Sequence, residues 1–196
     1  KLMPIPEEWM PERTFKDRFI DGGEFFRQSD GTYALPYLID PLVLYYNKDL
    51  LSSAGLATPP KTWEVFVNDT VPRLTEYGQN RSLTQSAIGM GMFDNVQNAQ
   101  EILSMLLFQA GNTIVTEEGS RYRVTLAAPR QNGPPSGQSA LAFFMQFSNP
   151  GVRTYTWNRA QPSDREAFIG GKLAMYFGFG SELASLLEAN PNMNFD

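Results

Sequence analysis

Neither cysteine nor histidine occurs in the 196 residues. Without Cys there is no disulfide, no thiolate zinc site and no cysteine nucleophile. Without His the usual general base, the Ser-His-Asp triad and most transition-metal sites are also gone. No segment approaches the roughly 18 apolar residues that a membrane span needs; the densest apolar stretch, Ile102 to Phe108, is far shorter. Basic runs are missing too. Lys and Arg number 16 against 21 Asp and Glu, a net charge of -5, which argues against nucleic acid or an anionic membrane surface as a partner. Gly89-Met90-Gly91, Gly170-Gly171-Lys172 and Gly178-Phe179-Gly180 lack the full phosphate-cradling spacings, and no D-x-D-x-D-G calcium loop exists. No cofactor and no metal is expected. Any chemistry would rest on carboxylates, Lys, Tyr, Ser or hard metal ions.

With 42% hydrophobic and 19% charged residues, the chain suits one globular domain or two small lobes sharing a hinge. The absence of Cys fits an exported bacterial protein as well as a cytosolic one. The start at Lys1, with no basic stretch or apolar h-region, implies that any secretion signal lies outside these residues.

Periodicity predicts a short amphipathic helix over 12–20, a strand over 33–36 broken by Pro36, and a strand over 42–46 buried on both faces. Thr62 is an N-cap candidate for a helix with Trp63, Phe66 and Val67 on one face, and Pro72 should end or kink it. A strand is predicted over 87–93, and a helix over 95–110 with Ala99, Ile102, Leu103, Leu106 and Ala110 on one stripe. Residues 121–126 alternate like a sheet edge, and a helix presents Ala140, Phe143, Phe144 and Phe147. Ser163 and Glu166 fit a capping box opening a helix to Ile169, followed by a strand over 173–177 and a helix over 182–189. Strands alternating with helices point to an α/β fold with a mostly parallel central sheet flanked by helices.

Two residues stand out by context. Asp40 lies between the apolar segments 37–39 and 42–46, where a carboxylate either contacts a ligand or serves as a helix cap or ion-pair partner. Trp157 sits in a polar-flanked loop, either packed beneath it or displayed to a ligand, and its neighbour Asn158 is a candidate ligand contact with it, whereas Trp63 reads as core. Asp40, Asp94, Glu101 and Asp164 could converge only through the fold, so acid–base catalysis has no support in spacing alone.

Several segments together resemble one family. Gly31 to Pro36 (GTYALP), Asp40, Leu44 to Leu50 (LYYNKDL), Ala54 to Leu56 (AGL) and Pro59 to Glu64 (PPKTWE) form one block; Ala167 to Met175 (AFIGGKLAM) forms a second. Their order and separation resemble extracellular solute-binding proteins of family 1, the maltose-binding-protein-like sugar-binding subunits of ABC importers. The resemblance implies a periplasmic-binding-protein type II-like fold, two α/β lobes joined by a hinge, of which this chain would be a fragment. Residues 1–40 would be the end of the first lobe and the crossover strand, 41–191 the second lobe, and 192–196 a strand returning toward the hinge.

The same resemblance implies a non-enzymatic receptor at the periplasm or cell surface. Its partners would be a carbohydrate or related polar solute and the permease subunits of the importer, with a lipid anchor possible in the parent protein. Asp40 lines up with an acidic residue that contacts sugar hydroxyls in the family, and Phe93, Asp94 and Asn95 with a region that supplies ligand contacts. Where the family often carries a stacking Trp after the second block, this chain has Phe179, so that role falls to Phe179 or to Trp157. A single lobe offers half of the contacts, so weak or undetectable binding is expected of the fragment alone. Two other readings remain open at this stage: a carboxylate-based carbohydrate-active enzyme, and a strand-exchanging interaction module that self-associates.

Overall fold

A computed structural model describes residues 2–119, 121–130 and 132–196. The chain divides into two compact units, Lys1–Pro41 and Leu42–Asp196.

In the first unit, helix α1 (Glu12–Arg18) and a 3-10 turn (Asp21–Phe26) lead into a hairpin of β1 (Arg27–Gln28) and β2 (Gly31–Thr32). Phe15 is buried against Phe19, with ring centroids 4.8 Å apart. The Arg27 guanidinium lies over the Phe15 ring and pairs with Glu12 at 3.1 Å and Glu24 at 3.0 Å. The strand expected over 33–36 does not form. The ladder is regular at Gly31 and Thr32, one more bond runs from the Tyr33 N–H to the Phe26 carbonyl at 2.9 Å, and Pro36 has no N–H to carry it on.

The second unit starts with β3 (Leu42–Tyr46) and α2 (Lys48–Ser53), the latter capped by the Asn47 side chain, which accepts from the N–H groups of Asp49 and Leu50 at 3.0 Å. Helix α3 (Trp63–Val65) continues through a π turn over Phe66–Thr70 into α4 (Val71–Leu74), and Thr62 caps it. Pro72 thus widens the helix before it ends: a proline ring collides with the carbonyl four residues back in a regular turn, and the π turn makes room. Next come β4 (Glu76–Tyr77), β5 (Leu83–Ile88), α5 (Ala99–Gln109), β6 (Val115–Glu118), β7 (Arg121–Val124), α6 (Ser136–Met145), α7 (Asp164–Ile169), β8 (Leu173–Phe179) and α8 (Leu183–Ala189).

The α/β class holds, and one detail is corrected. The four-stranded sheet, in the order β3-β8-β5-β4, is mixed instead of mostly parallel: β5 and β8 run parallel, while β3 pairs antiparallel with β8 and β4 with β5. An unbroken apolar run such as Leu42–Tyr46 carries no information about strand direction. Nor is β3 buried on both faces; it lies at the sheet edge, and only its Tyr45 is fully buried. The central strand is β8, buried from Leu173 through Phe177, and the core around it includes Trp157, Phe147, Phe168, Ile88 and Ile102.

Residues 121–126 do not edge this sheet. β7 pairs only with β6 in a separate ladder and is exposed along its length. At the C-terminus, Phe195 bridges Asn47, and Tyr46 and Asp196 exchange backbone bonds at 2.9 and 3.1 Å.

Candidate functional site

Strands β5 and β8 run parallel, so their carboxyl ends lie side by side, where open α/β sheets place their ligands. Two segments leave from there, 89–98 after β5 and 180–182 after β8. The strand predicted over 87–93 lies instead at Leu83–Ile88, and the chain leaves it through two glycines. A Cβ on Gly89 would sit 2.7 Å from that of Asp164, and Gly91 takes φ +92, a conformation that favours glycine, with Ser148 against it.

The helix predicted from residue 95 starts only at Ala99, because the preceding residues are held by other partners. The Asn95 amide donates to the carbonyl oxygens of Asn158 at 2.9 Å and Gln161 at 3.1 Å, and its oxygen accepts the Trp157 indole N–H at 3.1 Å. The backbone of Asp164 donates to the Asn95 carbonyl at 3.0 Å, and the Asp164 carboxylate accepts from the N–H groups of Gln97 at 3.0 Å and Arg165 at 2.9 Å. Asn98 then donates to the Phe177 carbonyl at 3.0 Å, which fastens this segment to β8.

Glu182 organises the other segment. Its carboxylate accepts from the Phe179 N–H at 2.8 Å, the Tyr176 hydroxyl at 2.8 Å and Arg165 Nε at 3.3 Å. Burial, then the bond to Glu182, holds the Tyr176 phenol above its ordinary range. Asp164 is 1% exposed, and burial pushes its carboxyl up to about 6; the bonds from Gln97 and Arg165 oppose the shift and nearby Glu182 adds to it.

The sequence-predicted residues fall as follows. Phe93 (66% exposed) and Asp94 stand on the open side of the first segment, and Asp94 pairs with Arg159 at 3.1 Å. Asn95 is half-buried and Phe179 is half-exposed at the end of β8. Trp157 is 0% exposed, so of the two roles left open for it the packed one is found: it lies beneath the segment, its indole N–H spent on Asn95, with no ring face to offer a ligand. Asn158 points back into its own turn, donating to the Tyr155 hydroxyl at 2.6 Å and accepting from the Ala160 N–H at 2.8 Å. Asp40 belongs to the first unit, where it is exposed.

The structure therefore brings together Asn95, Trp157 and the Asn158 carbonyl as scaffold, with Phe93 and Asp94 as side chains on the first segment and Phe179 at the end of β8. Asp164 is one of the four carboxylates named in the sequence, whereas Asn98, Tyr176 and Glu182 carry no mark there. Only the capping box beside Asp164 marked that neighbourhood. No group of three or more metal-ligating side chains occurs among the described residues. Cavities of about 470 Å³ around Tyr77, Arg153 and Tyr155 and about 420 Å³ around Leu103, Leu126 and Leu141 lie away from the strand ends, while one of about 380 Å³ around Trp63, Phe66 and Gln109 reaches Ile88 and Phe177 without touching either segment. The two segments form an open wall.

Comparison with known proteins agrees with this architecture. The family model described as "Bacterial extracellular solute-binding protein" matches residues 12–196. The diacetylchitobiose binding protein DasA of Streptomyces coelicolor is 24% identical over 164 residues, covering 84% of this chain and 35% of DasA. The sn-glycerol-3-phosphate-binding periplasmic protein UgpB of Agrobacterium fabrum is 46% identical over 56 residues, 26% of this chain and 13% of UgpB. An ABC transporter solute binding protein from Thermotoga lettingae, solved with α-D-tagatose, superposes with a TM-score of 0.70 at 22% identity, over 100% of this chain and 47% of that one. CpMnBP1 with mannotriose bound gives 0.65 at 22% identity, over 98% and 48%. The chain thus spans less than half the length of these relatives, and by the match over residues 12–196 it belongs to the bacterial extracellular solute-binding proteins.

Proposed function

We propose that this chain is the greater part of one lobe of a carbohydrate receptor for an ABC importer, working outside the cytoplasm and handing its ligand to permease subunits. It binds and does not turn over its ligand. Residues 1–40 belong to the end of the first lobe and the crossover, 41–191 to the second lobe, and 192–196 to the return toward the hinge. The observation that carries this reading is the paired wall at the carboxyl ends of β5 and β8, with exposed Phe93 and Asp94 on the segment after β5 and half-exposed Phe179 at the end of β8. Sugar rings lay their C–H faces on aromatic rings and pair their hydroxyls with carboxylates and amides, and such sites combine apolar surface with a few placed polar groups. The diacetylchitobiose-, tagatose- and mannotriose-binding relatives support the ligand class.

With Trp157 buried, stacking falls to Phe179 and Phe93, and Trp157 becomes a reporter of the segment above it. The test is an intrinsic-fluorescence titration with mono- and oligosaccharides, made on this chain and on a receptor of its relatives' length that contains it. A saturable change lost in Phe179→Ala supports the reading. Silence toward every sugar in the longer protein overturns the carbohydrate assignment.

A further inference from the structure

The ligand-facing segment 93–98 is tied down through a side chain ill suited to burial. Asp164 lies at the start of α7, beneath the segment, with Gly89 against its Cβ and the Trp157 ring beside that glycine. It holds the segment twice, through its own N–H to the Asn95 carbonyl and through its carboxylate to the Gln97 N–H. Asn would make the same two bonds, since the Gln97 and Arg165 N–H groups both reach the single oxygen Oδ1. A carboxylate at this point therefore adds no hydrogen bond that an amide lacks. What it adds is a charge that favours water over the interior.

We propose that Asp164 is a positioning residue that keeps segment 93–98 adjustable: charged, it favours states in which the segment lifts and water reaches the carboxylate; neutral, it holds the segment down. The sign follows from linkage. The docked segment buries the carboxyl and raises its proton affinity, so protonation favours the docked state and deprotonation the lifted one. The charged or titratable groups that act on it are Arg165, whose N–H it accepts on α7, Tyr176 on β8 and Glu182 after β8; Glu166 follows on α7 in the capping box, and Asp94, paired with Arg159, precedes Asn95 on the segment. Glu182 pushes in the same direction as burial. Only the importance of this motion for ligand capture rests on the receptor reading above; the motion itself does not.

The experiment is amide hydrogen exchange on the ligand-free chain at pH 5 and pH 7.5, corrected for intrinsic rates. Protection at Gln97, whose N–H the carboxylate accepts, should fall roughly tenfold or more at the higher pH. Asp164→Asn should show the higher protection at both. Constant protection in the wild type, or the same pH dependence in Asp164→Asn, overturns the proposal. Should that variant not fold, the wild-type Gln97 amide and Trp157 indole NMR signals decide: a shared midpoint near 6 supports the proposal, and flat signals overturn it. If exchange behaves as proposed while no sugar binds the longer receptor, the receptor reading alone falls.

Discussion

The indole N–H of Trp157 donates to Oδ1 of Asn95 at 3.1 Å, and the amide of the same Asn95 reaches the carbonyl oxygens of Asn158 and Gln161. One side chain therefore joins the segment that follows β5 to the loop that precedes α7. Asn95→Ala orphans a buried indole donor and at least two carbonyl oxygens. The expected loss is about 2–3 kcal/mol of unfolding free energy, read as a lower urea midpoint at unchanged slope, with a shifted Trp157 emission.

Trp157→Ala removes a fully buried indole from the core and should cost about 3–5 kcal/mol. A sugar response that disappears in this variant would reflect lost folding, so its denaturation curve is to be measured before any titration is interpreted.

Phe93→Ala should do the opposite. Phe93 is 66% exposed, and its removal should leave stability within about 0.5 kcal/mol. Sugar affinity in the longer receptor should nevertheless fall by about tenfold, a loss of roughly 1.4 kcal/mol. Paired urea and calorimetric titrations separate the two effects.

Asp164 gives stability a definite pH dependence. Its carboxyl titrates at about 6 in the folded chain against 3.8 when free, so its favourable contribution is complete below pH 3.8 and is lost as pH rises through 6. Asp164→Asn should therefore be more stable than the wild type at pH 7, by up to about 3 kcal/mol. The gap should close toward pH 4, in urea melts at both values. A gap independent of pH would show that the carboxyl is not held above its ordinary range.

Much of this was legible in the residues. Ser163 and Glu166 form the capping box their spacing called for, and Thr62 caps the helix expected after it. The stripe through Ala99, Ile102 and Leu106 is buried as its period required. What the sequence hid was long-range. Strand direction depends on the route of the chain, so the antiparallel placement of β3 could not be read from Leu42 to Tyr46. The late start of α5 depends on bonds from Asn95 and Gln97 to residues more than sixty positions away. The residues around Trp157 leave both display and packing open until Asn95 meets its indole, and Asp164 differs from other helix-start acids only in what the fold stacks above it.

The central claim is that the wall formed by segment 93–98 and the end of β8 at Phe179 holds a sugar. Backbone NMR shift mapping of a receptor of its relatives' length, titrated with mono- and oligosaccharides, tests it most directly. The account predicts saturable shifts concentrated at Phe93, Asp94, Asn95 and Phe179 for at least one sugar. Saturable shifts confined to other surfaces, such as the cavity beside Trp63 and Gln109, or no shifts with any sugar, would contradict it.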